Sequence, residues 1–247
     1  MSTEPRGTAR SMALLWATPE SSAARRGQRS ALDVGRIVSA AVALADAEGL
    51  SAVSMRRVAA EVGVPTMTLY GHVPGKGELV DLMLDTVLGE VYPDEQAATS
   101  GNWRTRVEAV ARANWALLAR HPWASSAATG RPPTGPNAMR KYETELRAVD
   151  GLGLSENQMG LLVTLVNGFV RGSVGGNRDG ADDQPWRAAT GPYAALLLDP
   201  VRFPTAARVG PVAAGEPQGA AGQERSFEFG LERLLDGIGV LILNPAR

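Results

Sequence analysis

Apolar residues recur along most of this chain at the three- and four-residue spacing of helices, not at the alternation of strands. Ile37, Ala41, Leu44 and Ala45 share one helical face, with Asp33 placed to cap its start and Gly49 to stop it. Ser54 predicts the cap of a short second helix ending at Gly63, and Pro65 opens a third that ends near Gly71–His72. A fourth is expected from about Gly75 to Glu90, with Leu79, Leu82, Met83, Thr86 and Val87 facing inward, and Pro93 closes the region. Helical spacing returns over Trp103–Arg120, Asn137–Val149, Glu156–Val174 and about Gln223–Leu243. Between them, polar Asn177–Gln184 reads as a loop, and the Pro-, Gly- and Ala-rich stretch 199–222 reads as a long mobile excursion. Residues 1–30 show no helical period and read as a disordered, Arg-bearing arm. The expected fold is all-α, with an arm at 1–30, one domain at 31–91 and a larger helical domain at 92–247.

Composition narrows the chemistry. The 247 residues include no cysteine and two histidines, which excludes disulfide scaffolds, zinc–thiolate and iron–sulfur sites and cysteine nucleophiles. No apolar run approaches the roughly 20 residues that span a bilayer. The stretch Ser11–Ala17 is too short, and Glu4 interrupts the basic start of a signal peptide, so a cytoplasmic protein is expected. A net charge of −1 runs against nucleic-acid binding until it is divided by segment. Residues 1–30 carry 5 − 2 = +3, residues 31–91 carry 4 − 8 = −4, and Ser54–Gly77 carries 3 − 1 = +2. Weak non-specific binding and a shallow salt slope follow, with the arm a candidate for some phosphate contacts.

The stretch SMRRVAAEVGVPTMTLYGHVPGK, Ser54 to Lys76, holds the informative constellation. Ala59 lets a second helix cross closely, Gly63 suits the positive φ of a tight turn, and Val58, Val62, Val64 and Leu69 supply the apolar wall. In such a helix-turn-helix the second helix enters the DNA major groove. Thr66, Thr68 and Tyr70 would then offer hydroxyls to phosphates, and Met67 an apolar contact to a thymine methyl. Arg56 and Arg57 can reach a phosphate or a guanine edge, and Lys76 can grip a phosphate at the next helix start. On spacing alone, a pair of ordinary core helices, with Tyr70 packed inside, stands beside this reading.

Residues Ala31 to about Val91 resemble the N-terminal domain of the TetR family of bacterial transcriptional repressors. The matching positions are Glu48-Gly49-Leu50, Ser54-Met55-Arg56-Arg57-Val58-Ala59, Gly63-Val64, Leu69-Tyr70-Gly71-His72-Val73, Lys76 and Leu79. The resemblance puts DNA contacts on Arg56, Thr66, Met67, Thr68, Tyr70, His72 and Lys76. It also implies a homodimer, a double-stranded operator and a small-molecule inducer. More loosely, Trp103-Arg104, His121-Pro122-Trp123, Arg131-Pro132 and Phe227 to Leu235 are similar to the tetracycline-repressor type of C-terminal domain. Ala127 stands where that type carries its metal-chelating histidine, so an apolar or aromatic inducer is expected in place of a metal–tetracycline complex.

Within the C-terminal part, Asn114, Trp115, Trp123, Arg131, Met139, Tyr142, Asn167 and Phe169 are the candidate ligand contacts. Asn114 and Asn167 stand out as polar residues on apolar faces, there to orient a ligand or to pair within the core. His121, before Pro122, reads as a hydrogen-bonded loop histidine. The Gly172–Gly176 stretch lacks the Gly-Lys-Ser/Thr ending of a phosphate loop, the nearby aspartates miss EF-hand spacing, and no nucleophile elbow occurs. No catalytic residue, metal or cofactor is expected. The competing function class is a helical small-molecule-binding protein or enzyme with a vestigial helix-turn-helix, and sequence does not separate repressor from activator.

Overall fold

The computed structural model describes residues 6–17, 33–94, 98–128, 133–175, 189, 193, 199–215 and 220–244. Every regular element among them is helical: α1 (Arg6–Leu15), α2 (Val34–Glu48), a single 3-10 turn (Leu50–Ala52), α3 (Met55–Glu61), α4 (Thr66–His72), α5 (Lys76–Leu88), α6 (Trp103–Arg120), α7 (Trp123–Ala127), α8 (Pro136–Val149), α9 (Glu156–Gly175), α10 (Pro204–Gly215) and α11 (Ala220–Leu243). The chain forms two compact units, 1–164 and 165–247, which divide within α9.

In the first unit the predicted caps are in place. Asp33 accepts the Arg36 N–H at 2.7 Å, Ser54 accepts that of Arg57 at 3.3 Å, and Gly49 ends α2 with φ of +83°. Asn102 caps α6 through the Thr105 N–H, which the pattern did not single out. Ile37, Ala41, Val58, Leu69, Leu79, Met83 and Val87 form a continuous core under α2 to α5. Each large apolar side chain there contributes roughly 1.5–3 kcal/mol by leaving water. On α5, Thr86 faces outward, contrary to expectation, whereas Leu84 and Asp85 are buried. Asp85 can enter because the Asn137 and Ala138 N–H groups at the start of α8 donate to its carboxylate, the latter at 2.9 Å. Gly135 makes room for it, since an added Cβ would lie 2.1 Å from Asp85 Oδ1.

Two expectations, of a disordered arm and of a long loop excursion, are corrected. Within the arm at 1–30, Arg6–Leu15 is helical and packs along α5, burying Ser11, whose hydroxyl donates to Asp81. The short run from Met12 to Trp16 shows too little period to predict a helix alone; tertiary packing supplies the stability. Within the stretch 199–222, Pro204–Gly215 forms α10, begun by Pro at its first position and preceded by Asp199, which accepts the Val201 N–H at 2.8 Å. The expected loop Asn177–Gln184 lies outside the described residues.

In the second unit, Phe227, Leu231, Leu235 and Ile238 make the buried stripe of α11. Phe227 stacks on Phe169 of α9 with ring centroids 5.6 Å apart. Gly230 permits this approach, because a Cβ there would meet Phe169 Cε2 at 2.5 Å.

Candidate nucleic-acid interface

The turn between α3 and α4 is built from backbone geometry. Val62 ends α3, Gly63 follows at φ of +75°, and the Val64 N–H returns to the Ala59 carbonyl at 2.9 Å. Only glycine takes that φ without strain. Arg36 of α2 donates to the Val62 carbonyl at 3.3 Å, tying the turn to the long helix behind it. Ala59 is fully covered, as a close crossing requires, and Leu69 and Val73 anchor α4 from within.

With Leu69 facing in, the rest of α4 faces out. Met67 is 79% exposed and Tyr70 43%, so Tyr70 is not the core residue of the alternative reading. Thr68 is exposed, and Thr66 and His72 are half-buried. Arg56 is exposed at the start of α3.

The two remaining cations are engaged within the protein. Arg57 makes a two-pronged ion pair with Glu48 at 2.7 Å on both arms. The guanidinium holds the Glu48 carboxyl below its ordinary value, and Glu48 raises Arg57 in turn. Lys76 reaches back to the Leu50 carbonyl at 3.4 Å. Arg57 therefore braces α3 against the end of α2, a role that the sequence did not indicate.

The residues singled out as ligand contacts separate. Asn114 is buried and bonds inward: its amide donates to the Val110 carbonyl at 2.9 Å, to Glu145 at 2.8 Å and to the Tyr92 hydroxyl at 3.0 Å. Lys141 completes this cluster, 2.5 Å from Glu145 Oε1, and Tyr92 donates to the same oxygen at 3.1 Å. Burial, then the nearby Glu145 charge, pushes the Tyr92 phenol well above its ordinary value. Trp123 is buried too, its indole N–H on Asp46 of α2 at 2.7 Å. His121 is likewise the hydrogen-bonded residue expected, between Asp46 at 2.8 Å and Glu90 at 3.2 Å. Met139 and Tyr142 are exposed on α8, Trp115 is half-buried on α6, and Asn167 and Phe169 are half-buried on α9. Arg131 lies outside the described residues.

Sequence reasoning missed Tyr92, Lys141, Glu145, Asp46 and Asp85. The signal for Glu145 was present: with Thr144, Ala148 and Val149 it lies on the buried face of α8, where a charge needs partners. No described helix is long and apolar enough to cross a membrane.

Comparison with known proteins agrees with this geometry. Residues 37–83 match the family described as bacterial regulatory proteins, tetR family, and residues 94–242 match the tetracyclin repressor-like C-terminal domain. The HTH-type transcriptional repressor DrrR1 of Streptomyces coeruleorubidus is 39% identical over 98% of this chain and 90% of its own. Apo ActR of Streptomyces coelicolor superposes with a TM-score of 0.71 at 27% identity, over 89% of this chain and all of that one. ActR in complex with actinorhodin gives 0.65 at 29% identity, over 85% of this chain and 96% of that one. The chain therefore belongs to the TetR family of bacterial regulatory proteins, ligand-responsive regulators that bind DNA.

Proposed function

We propose that this chain is a repressor, acting as a homodimer on a pseudo-palindromic operator from which a small molecule releases it. The observation that carries the reading is the outward face of α4, where Thr66, Met67, Thr68 and Tyr70 stand over a buried Leu69. Arg56 joins them as the cation for a base edge or phosphate, His72 adds a contact at the end of the helix, and Lys76 and Arg57 sit at the rim. One helix of this length reads a few base pairs; two-fold symmetry doubles that and sets half-sites about 34–36 Å, or a multiple, apart. Exposed Leu161 and Leu165 on α9 and Phe229, Val240 and Leu243 on α11 support a dimer that buries them.

The functional boundary proposed lies near Val91, with DNA contacts before it and ligand binding and dimerisation after it. A small-molecule inducer is supported by the ActR structure with actinorhodin. Exposed Met139 and Tyr142 and half-buried Trp115 offer apolar and aromatic contacts to it, with Asn167 and Phe169 as further candidates on α9. The activity needs no catalytic group, metal or cofactor, and it places the protein in the bacterial cytoplasm, on the nucleoid when bound.

Footprinting on the fragment upstream of its own gene tests the reading. The expected result is a protected, two-fold symmetric segment whose affinity falls with salt. Binding no tighter than to a scrambled duplex at physiological salt would overturn it.

A further inference from the structure

The N-terminal helix α1 has no part in the reading above, yet its packing on α5 is the most extensive between any two helices among the described residues. Three links tie it in place. Ser11, 4% exposed, donates to Asp81 on α5. Trp16 donates from its indole to the Thr134 carbonyl at 2.9 Å, and the Thr134 hydroxyl meets Met12 Sδ at 3.2 Å. Thr134 leads directly into α8, whose first N–H groups are held by Asp85.

Asp81 and Asp85 are one turn apart on α5, so this single helix binds α1 through one carboxylate and the start of α8 through the next. Since α1 also holds Thr134, the three contacts close a triangle of α1, α5 and residues 134–138. Only Val73 to Gly75 separate α5 from α4, and Val73 within that joint and Leu79 on α5 are both fully buried. A displacement of α5 therefore carries the DNA-facing helix with it.

We propose that α1 is an intramolecular clasp that makes α5 and the start of α8 move as one body, and so sets operator affinity without touching DNA. The inference rests on the DNA-binding reading of α4. It departs from the expectation that the N-terminal arm supplies phosphate contacts. A clasp acts on the population of binding-competent α5 positions, so it alters affinity but leaves the number of neutralised phosphates unchanged.

The experiment compares the full chain with the double variant Ser11→Ala, Trp16→Phe, which keeps the apolar packing and removes both donors. A chain lacking residues 1–17 serves as the second variant. Amide exchange is followed at residues 134–138 and along α5, and affinity for the fragment upstream of the gene is measured against salt. The expected result is exchange at Asn137 and Ala138 faster by about tenfold, with affinity weakened about fivefold, at the low end of ordinary allosteric coupling, and an unchanged salt slope. A shallower slope would overturn the clasp in favour of an arm on the phosphates. Unchanged exchange, or faster exchange with unchanged affinity, would overturn it too. If the unaltered chain shows no specific binding, the DNA reading fails and takes the coupling with it; the exchange result still reports whether α1 holds the start of α8.

Discussion

Thr66, Thr68 and Tyr70 on α4 carry hydroxyls much like that of Tyr92, yet the folded chain treats the two groups in opposite ways. The α4 hydroxyls stand on a surface with one buried leucine behind them. Tyr92, Asn114, Lys141 and Glu145 are drawn together within the first unit, where three donors converge on one Glu145 oxygen. Exposed polar groups already have water, so they contribute little to stability and remain available to a partner. Buried ones cost several kcal/mol unless every donor and acceptor is met. The first surface leaves its polar groups available to a partner, and the second ties α6 to α8 through Asn114 and Glu145.

Removing the centre of the buried cluster should have the largest effect. Glu145→Ala leaves half-buried Lys141 without this carboxylate and takes an acceptor from both Tyr92 and Asn114. A loss of about 3 kcal/mol in unfolding free energy is expected by calorimetry or denaturant titration. A loss below about 1 kcal/mol, the size of an exposed pair, would break the distinction between the two regions. Arg56→Ala is the counterpart on the exposed side. It should weaken operator binding by about 1–3 kcal/mol and relax base preference, while leaving stability within about 0.5 kcal/mol. An Arg56→Ala chain that melts early while binding normally would invert the comparison.

The exposed region was largely legible in the sequence, and the buried cluster was not. Gly63, Ala59 and Leu69 act through local spacing and backbone conformation, which a linear pattern displays. So do the Asp33 and Ser54 caps, each made within three residues. The partners of Glu145 lie 4, 31 and 53 residues away, and Asp46 meets His121 across 75. Lys141 is a helical i,i+4 neighbour, but no periodicity encodes separations of 31, 53 and 75; only the isolated polar position, such as Asn114 on its apolar face, marks that a partner must exist. Helix α1 was hidden for the same reason, since its stability comes from α5, more than sixty positions later. Arg57 shows the same limit: its type and spacing point to a DNA contact, but its ion pair with Glu48, nine positions earlier, is not displayed by the helical pattern.

The finest test of the comparison is alkaline titration of the tyrosines. Of the four, Tyr70, Tyr142 and Tyr193 are exposed, and Tyr92 is half-buried, its hydroxyl on Glu145. Burial and the adjacent carboxylate both oppose a second negative charge, so the Tyr92 phenol holds its proton above the ordinary value of about 10. The unfolded chain releases that proton more readily than the folded one. The stability tied to the protonated phenol is therefore complete below about pH 10 and is lost as pH rises toward and through the folded value. In an alkaline titration of the full chain against Tyr92→Phe, the tyrosinate absorbance removed by the substitution should be that of a phenol ionising above the ordinary value. Tyr92→Phe should also remove the loss of stability above about pH 10 that this phenol carries. If the absorbance removed by the substitution rises at about pH 10 in the folded chain, the cluster is open to solvent and its contrast with α4 is one of degree.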